Sequence, residues 1–125
     1  MADPQIGISG FASYLPRYRV PLDAWCRWSG DNWDKVRAVV GSGFRMRGPD
    51  ENAYTMAATA VLRLIRQYDL DPGRIGFLGL GTESSTDNSA GAVIVKGMVN
   101  RALTGLGLPP LARSCEVPEF KHACL

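Results

Sequence analysis

The longest regular pattern in the chain begins after Gly48-Pro49-Asp50. Ala53, Met56, Ala57, Ala60, Val61, Leu64, Ile65 and Tyr68 recur at i, i+3, i+4 and i+7, with Arg63, Arg66 and Gln67 on the opposite face. That spacing predicts an amphipathic helix. Asp50 stands where an N-cap is expected, and Glu51 brings negative charge to the positive end of the helix dipole. Asp71-Pro72-Gly73 then supplies a turn, and the unbroken apolar run Ile75 to Leu80 predicts a buried parallel strand. Helix, tight turn and buried strand make the second half of a βαβ unit. A polar stretch, Thr82 to Ser89, precedes a helix expected from Ala90 to Leu103. This helix is apolar on most sides and so calls for protein cover on most sides. Asp87, Asn88 or Ser89 is its expected N-cap, and Gly105, Gly107, Pro109 and Pro110 close it.

The remaining pattern is weaker. Gln5 to Leu15 alternates in part and ends at Pro16, which predicts a strand with an extended exit. Leu22 to Trp28 predicts a short helix introduced by Pro21, with Asp23 in its first turn. Trp33 to Val40 predicts another, stopped by Gly41 and Gly43, and Phe44 to Arg47 a brief strand. Arg113 to Val117 is the last expected strand, and Lys121 to Leu125 reads as a turn into a further helix. No repeat, low-complexity tract or internal boundary interrupts residues 1–125, so the chain is read as one α/β piece.

Composition narrows the function without naming it. The 125 residues are 46% apolar and 21% charged with a net charge of +2, as in an ordinary soluble domain. Lys and Arg are scattered among a dozen acidic residues, which argues against nucleic acid as a partner. The apolar segments are far too short to cross a bilayer. Residues 1–11 show neither a basic n-region nor a long apolar stretch, so the expected location is the cytoplasm. Three cysteines, an odd number, point to free thiols rather than a disulfide framework.

Two places carry possible chemistry. The polar turn Gly81-Thr82-Glu83-Ser84-Ser85-Thr86-Asp87 lies at the C-terminal end of the predicted buried strand, where open α/β sheets place ligands. Partial desolvation there would raise a carboxyl pKa and suit Glu83 to general acid–base work. A solvated loop acid is the competing reading. The other place is Phe120-Lys121-His122-Ala123-Cys124-Leu125. A cysteine between a strand and a helix start meets the dipole and backbone N–H groups that stabilise a thiolate or an oxyanion. An inert buried cysteine is the alternative, and residue type alone leaves both open. Cys26 and Cys115 read as packing residues. Cys115, His122 and Cys124 match no common zinc spacing, so no metal is expected, and the glycines around Gly79 and Gly81 form no phosphate-binding fingerprint.

Taken together, these stretches resemble the hydroxymethylglutaryl-CoA synthases of the thiolase superfamily. Gly7-Ile8-Ser9-Gly10-Phe11-Ala12-Ser13-Tyr14-Leu15-Pro16-Arg17-Tyr18-Arg19 is similar to the family's first strand, and Gly48-Pro49-Asp50-Glu51-Asn52-Ala53 to the lead-in of its long helix. Gly81-Thr82-Glu83-Ser84 is similar to the segment bearing the general acid/base glutamate, and His122-Ala123-Cys124 to the one bearing the acyl-accepting cysteine. The resemblance therefore implies a catalytic pair, Glu83 and Cys124, in the N-terminal part of a thiolase-like fold: a mixed sheet with βαβ units and a buried helix. It implies acetyl-CoA and acetoacetyl-CoA, or a related thioester, as substrates, with no cofactor. The interval from Glu83 to Cys124 is a few residues longer than the family's, around Thr104 to Pro110. The Gly-rich turn after the cysteine and the family's histidine and asparagine have no counterpart here, and His122 is not that histidine. A homo-oligomer, or a second chain supplying the rest of the fold, is the corresponding expectation. Two other readings stand: a ketoacyl-ACP synthase III-like condensing enzyme, and a non-catalytic thiolase-like scaffold subunit.

Overall fold

The structure is a computed structural model that describes residues 5–83 and 90–121. Its order is β1 (Tyr18–Pro21), α1 (Leu22–Ser29), α2 (Trp33–Val40), β2 (Gly43–Met46), α3 (Ala53–Gln67), a 3₁₀ turn (Pro72–Arg74), β3 (Leu80–Gly81), α4 (Gly91–Gly105) and β4 (Glu119–Phe120). The chain forms two compact units, residues 15–52 and the remainder. No low-complexity linker marks the division in the sequence.

In the unit of residues 15–52, β1 and β2 pair antiparallel with Val20 opposite Phe44. Pro21 ends the strand and caps α1 with extended backbone, lacking the N–H that either ladder would use. Leu22 and Cys26, one turn apart, are the buried face of α1. Trp25 packs on Trp28 at 5.0 Å between ring centroids and meets Phe44 edge-on at 5.3 Å. The Asn32 side chain caps α2 by accepting from the Lys35 N–H. Gly30 and Gly41 follow the two helices with φ near +79° and +78°, a region that only glycine enters freely.

The other unit is built on α3 packed against α4. Ala58 and Ile65 from α3 meet Val95, Val99 and Leu103 from α4, with Leu111 completing the buried cluster. Tyr54, Ala57, Val61 and Leu62 flank it, and Arg63, Arg66 and Gln67 face solvent as the periodicity predicts. The buried face is turned from the predicted stripe, since it takes in Tyr54, Ala58 and Leu62 and leaves Tyr68 40% exposed. The helix starts at Ala53, so Asp50 lies ahead of the cap position. The neighbouring Glu51 carboxylate instead accepts from the Gly48 N–H.

β3 and β4 pair parallel on either side of α4, which makes β3–α4–β4 a βαβ unit. The parallel hydrogen bonds reach well beyond the short regular strands. The Glu116 N–H donates to the Gly76 carbonyl, and Leu78, Leu80 and Thr82 donate to the carbonyls of Glu116, Pro118 and Phe120. Pro118 has no N–H to return to this ladder, which explains why regular pairing is interrupted there.

The expected elements are corrected in four places. Gln5 to Leu15 is not a strand: it has no ladder partner among the described residues, and Ile6 and Ile8 are 97% and 96% exposed. Its later part is held by side chains, with Arg63 donating to the Ser13 carbonyl and stacking over the Tyr14 ring. The last strand lies nearer the C-terminus than expected, because Arg113 and Ser114 form a turn and pairing begins at Glu116. The run Ile75 to Leu80 is parallel as predicted, yet covered on one face only. Leu78 and Leu80 pack on the core, whereas Phe77 is 57% exposed. The described residues likewise cover one side of α4, leaving Val93 56% exposed.

Candidate functional site

The parallel register determines what the fold can bring together. Because Leu80 pairs with Glu119 and Gly81 with Phe120, both strands end at the same edge as immediate neighbours. Neighbouring strands lie about 4.8 Å apart. From β3 the chain continues through Thr82 and Glu83 toward α4, and from β4 through Lys121 toward Cys124. The chain thus leaves the two strands, at Thr82 and at Lys121, side by side at the C-terminal strand ends where open α/β sheets place ligands.

Thr82 is half-buried and Glu83 exposed. The desolvation expected of Glu83 at this position is therefore not supplied by the described residues. Cys124 and its neighbours His122 and Ala123 lie outside the described residues, as do Asp87, Asn88 and Ser89, the expected caps of α4. Ala90 occupies the cap position of α4 and offers no side-chain hydrogen bond.

The cap function is met from across the sheet. Glu119 Oε2 accepts from the Gly91 N–H at 2.6 Å, and Oε1 forms an ion pair with Lys121 Nζ at 3.0 Å. The Glu119 side chain is 0% exposed. A buried carboxylate is costly without partners; here it has a cation and the positive end of a helix. The approach depends on glycine. A Cβ at position 91 would stand 2.8 Å from Glu119 Oε2, 2.8 Å from Tyr54 Cε1 and 2.9 Å from Leu80 Cδ2.

The connection from β3 to α4, which bears Glu83, is thereby tied to β4 at both ends. Thr82 N–H binds the Phe120 carbonyl at 3.1 Å, and Gly91 N–H binds the Glu119 carboxylate. Glu119 was not singled out in the sequence. Its partner lies 28 residues earlier, and a charged residue beside a lysine at a strand end reads as solvent-facing.

Cys26 and Cys115 are free and buried, in keeping with packing roles. Lys96 Nζ donates to the Cys115 carbonyl at 3.1 Å. Among the described residues no three His, Cys, Asp or Glu side chains are grouped to hold a metal ion. Among the same residues, no helix is long and apolar enough to cross a membrane.

No family model matches the chain. Individual proteins do. Hydroxymethylglutaryl-CoA synthase of Pyrobaculum neutrophilum is 35% identical over 81 residues, 64% of this chain and 23% of that enzyme. The solved structure of MvaS in complex with 3-hydroxy-3-methylglutaryl coenzyme A superposes with a TM-score of 0.70 at 34% identity, covering 90% of this chain and 25% of that one. 3-Oxoacyl-[acyl-carrier-protein] synthase III from Aquifex aeolicus shares the fold at a TM-score of 0.59 and 18% identity, over 82% of this chain and 32% of that one. The chain has part of a thiolase-like fold, is a relative of the hydroxymethylglutaryl-CoA synthases, and spans about a quarter of the length of those it matches.

Proposed function

We propose that this chain serves an acyl-CoA condensation of the hydroxymethylglutaryl-CoA synthase type, with Cys124 as acyl acceptor and Glu83 as general acid/base. The parallel register of β3 and β4 carries this reading, because the segments bearing the two residues leave the sheet as neighbours. Cys124 follows Lys121 by three residues, a reach of about 11 Å at most. Glu83 follows Gly81 by two.

In the proposed reaction the Cys124 thiolate attacks the carbonyl carbon of acetyl-CoA. A C–S bond to the enzyme forms, the bond to CoA breaks, and CoA leaves as its thiol after taking up a proton. The thioester acidifies its methyl group, and the Glu83 carboxylate removes one proton there. The enolate carbon then bonds to the ketone carbon of acetoacetyl-CoA, and protonated Glu83 returns its proton to the new alkoxide. Water cleaves the enzyme thioester, freeing hydroxymethylglutaryl-CoA and the Cys124 thiol. CoA thioesters are the partners in this scheme, no cofactor enters it, and the cytoplasm is the corresponding location. Further copies, or a second chain, would cover exposed Ile6, Ile8 and Phe77.

The test is incubation of the chain, with any protein that copurifies, with labelled acetyl-CoA, followed by mass mapping of the Cys124 peptide. Label on Cys124 is expected, and its absence would sink the acyl-acceptor role. Glu83→Ala should keep acetylation and lose condensation by roughly 10²–10⁴-fold, the usual worth of a general acid/base. The likeness to 3-oxoacyl-[acyl-carrier-protein] synthase III favours a second reading as a condensing enzyme of that kind. Condensation undiminished in Glu83→Ala would support it.

A further inference from the structure

We infer that Glu119 is a positioning residue, whose carboxylate clamps the start of α4 to β4 and so fixes the α4 end of the Glu83-bearing connection beside the exit of β4 toward Cys124. The inference rests on the acyl-transfer reading for the roles of Glu83 and Cys124. The clamp itself rests on geometry alone.

The connection between β3 and α4 has two ends, and consecutive residues of β4 hold both. Phe120 holds the β3 end through its backbone carbonyl, at 3.1 Å from the Thr82 nitrogen. Glu119 holds the α4 end through its side chain, at 2.6 Å from the Gly91 nitrogen. The first contact is available to any residue at position 120, since it uses main chain only. The second depends on side-chain identity, because aspartate is one methylene shorter and an apolar residue has no acceptor.

Three further observations mark Glu119 as built in. Its side chain is completely withdrawn from water, whereas Glu83 is exposed. Lys121 balances its charge through the second carboxylate oxygen. And position 91 carries no side chain, at the one place where a Cβ would fall within 3 Å of Glu119, Tyr54 and Leu80 together. Lys121, the partner of Glu119, is also the first residue of the path from β4 to Cys124. The carboxylate thus ties down the start of that path and the far end of the Glu83 connection at once.

The test compares wild type, Glu119→Gln and Glu119→Ala in the full chain. Glutamine keeps an oxygen that can accept from Gly91 and loses the charge; alanine loses both. The first readout is amide hydrogen exchange across α4, and the second is the rate of acetyl loading on Cys124 from acetyl-CoA. A charge-assisted hydrogen bond of this kind corresponds to about 10–100-fold in a local opening equilibrium. Glu119→Ala should speed exchange in the first turn of α4 by about that factor while leaving Val99–Leu103 nearly unchanged, because the core cluster holds the latter. Glu119→Gln should recover most of the protection. Acetyl loading should fall in Glu119→Ala and return in part with glutamine.

Unchanged exchange at the first turn in Glu119→Ala would overturn the clamp. So would an equal loss in both variants spread over the whole helix, which is the pattern of general destabilisation. If Glu119→Ala does not fold, Glu119→Gln decides alone: first-turn protection near wild type supports the clamp, and first-turn loss as large as that of the whole helix refutes it. Wild type that takes no acetyl group would refute the acyl-transfer reading while the exchange data still decide the clamp. Wild-type loading rates in a variant whose first turn has loosened would refute the positioning role and leave the acyl-transfer reading standing.

Discussion

Replacing Gly91 with alanine should destabilise the chain, while the same replacement at Gly97, two turns further along the same helix, should stabilise it. In a helix interior, alanine is favoured over glycine by about 0.8–1 kcal/mol, because it has less backbone freedom to lose. At Gly97 a new Cβ meets nothing within 4 Å, so this gain should appear almost in full. At Gly91 the gain is smaller, since the residue opens the helix, and three atoms stand in the way. Glu119 Oε2, Tyr54 Cε1 and Leu80 Cδ2 would lie 2.8, 2.8 and 2.9 Å from the new carbon. They come from β4, α3 and β3, so no single rotation clears them all, and the Glu119 oxygen cannot retreat without lengthening its 2.6 Å bond to the Gly91 nitrogen. Overpacking of this kind costs about 1–3 kcal/mol. The two variants should therefore differ by about 2–3 kcal/mol, Gly91→Ala below wild type and Gly97→Ala above it. Urea unfolding followed by far-ultraviolet circular dichroism is the suitable assay. Tryptophan fluorescence is not, because Trp25, Trp28 and Trp33 all belong to the unit of residues 15–52. A midpoint gap near 1 M urea corresponds to the expected difference at ordinary slopes. Equal midpoints, or Gly91→Ala the more stable of the two, would refute the close packing of α4 on Glu119.

Other outcomes follow from the same structure. Leu103→Ala, at a fully buried position between α3 and α4, should cost about 2–5 kcal/mol in urea unfolding, whereas Val93→Ala on the exposed side of α4 should stay within about 0.5 kcal/mol of wild type. The hydrogen bond from Arg27 holds the Asp23 carboxyl below its ordinary value. A lowered carboxyl contributes stability above its unfolded-state pKa and loses it as pH falls through the folded value, so the Arg27 contribution to α1 should disappear only in strong acid. Nuclear magnetic resonance titration should return Asp23 toward its ordinary value in Arg27→Gln; an unmoved midpoint would count against the bond. Cys26 and Cys115, both buried, should be alkylated by iodoacetamide at least tenfold more slowly in native buffer than in about 6 M urea, the order expected when attack requires opening. Rapid native labelling of either by peptide mapping would contradict the core described above.

Much of the secondary structure was legible because it is written in local spacing. The stripe on α3, the glycine stops after α1 and α2, and the Asp71-Pro72-Gly73 turn each depend on residues within a few positions of one another. Asp71 accepts from the Gly73 N–H as such a turn requires. The strands were harder for the opposite reason. A strand exists only with a partner, and neither Gln5–Leu15 nor Arg113–Val117 announces whether one is present. Alternation made the first look like a strand, yet among the described residues nothing pairs with it. The turn at Arg113 and Ser114 delayed the second to Glu116, and Pro118 interrupts its regular pairing because a proline removes one ladder donor.

The candidate site divides along the same line. The polar turn after an apolar run and a cysteine after a strand could be read from residue order, because both depend on what stands next to what in the chain. That the strands leading to them end side by side came from the parallel pairing of β3 with β4, a contact between residues some forty positions apart. Glu119 shows the limit most clearly. Its ion-pair partner Lys121 is two residues away, but the N–H group that its other oxygen accepts from belongs to Gly91, 28 residues earlier. Composition and periodicity settled that the chain is α/β and where its helices run, but not the whole of the faces they bury, since Ala58 of α3 is buried outside the predicted stripe and Val93 of α4 is exposed. Tertiary structure alone decided which strand ends lie together and which charge is taken out of water. Both of those depend on burial and pairing across the fold, which local spacing does not encode.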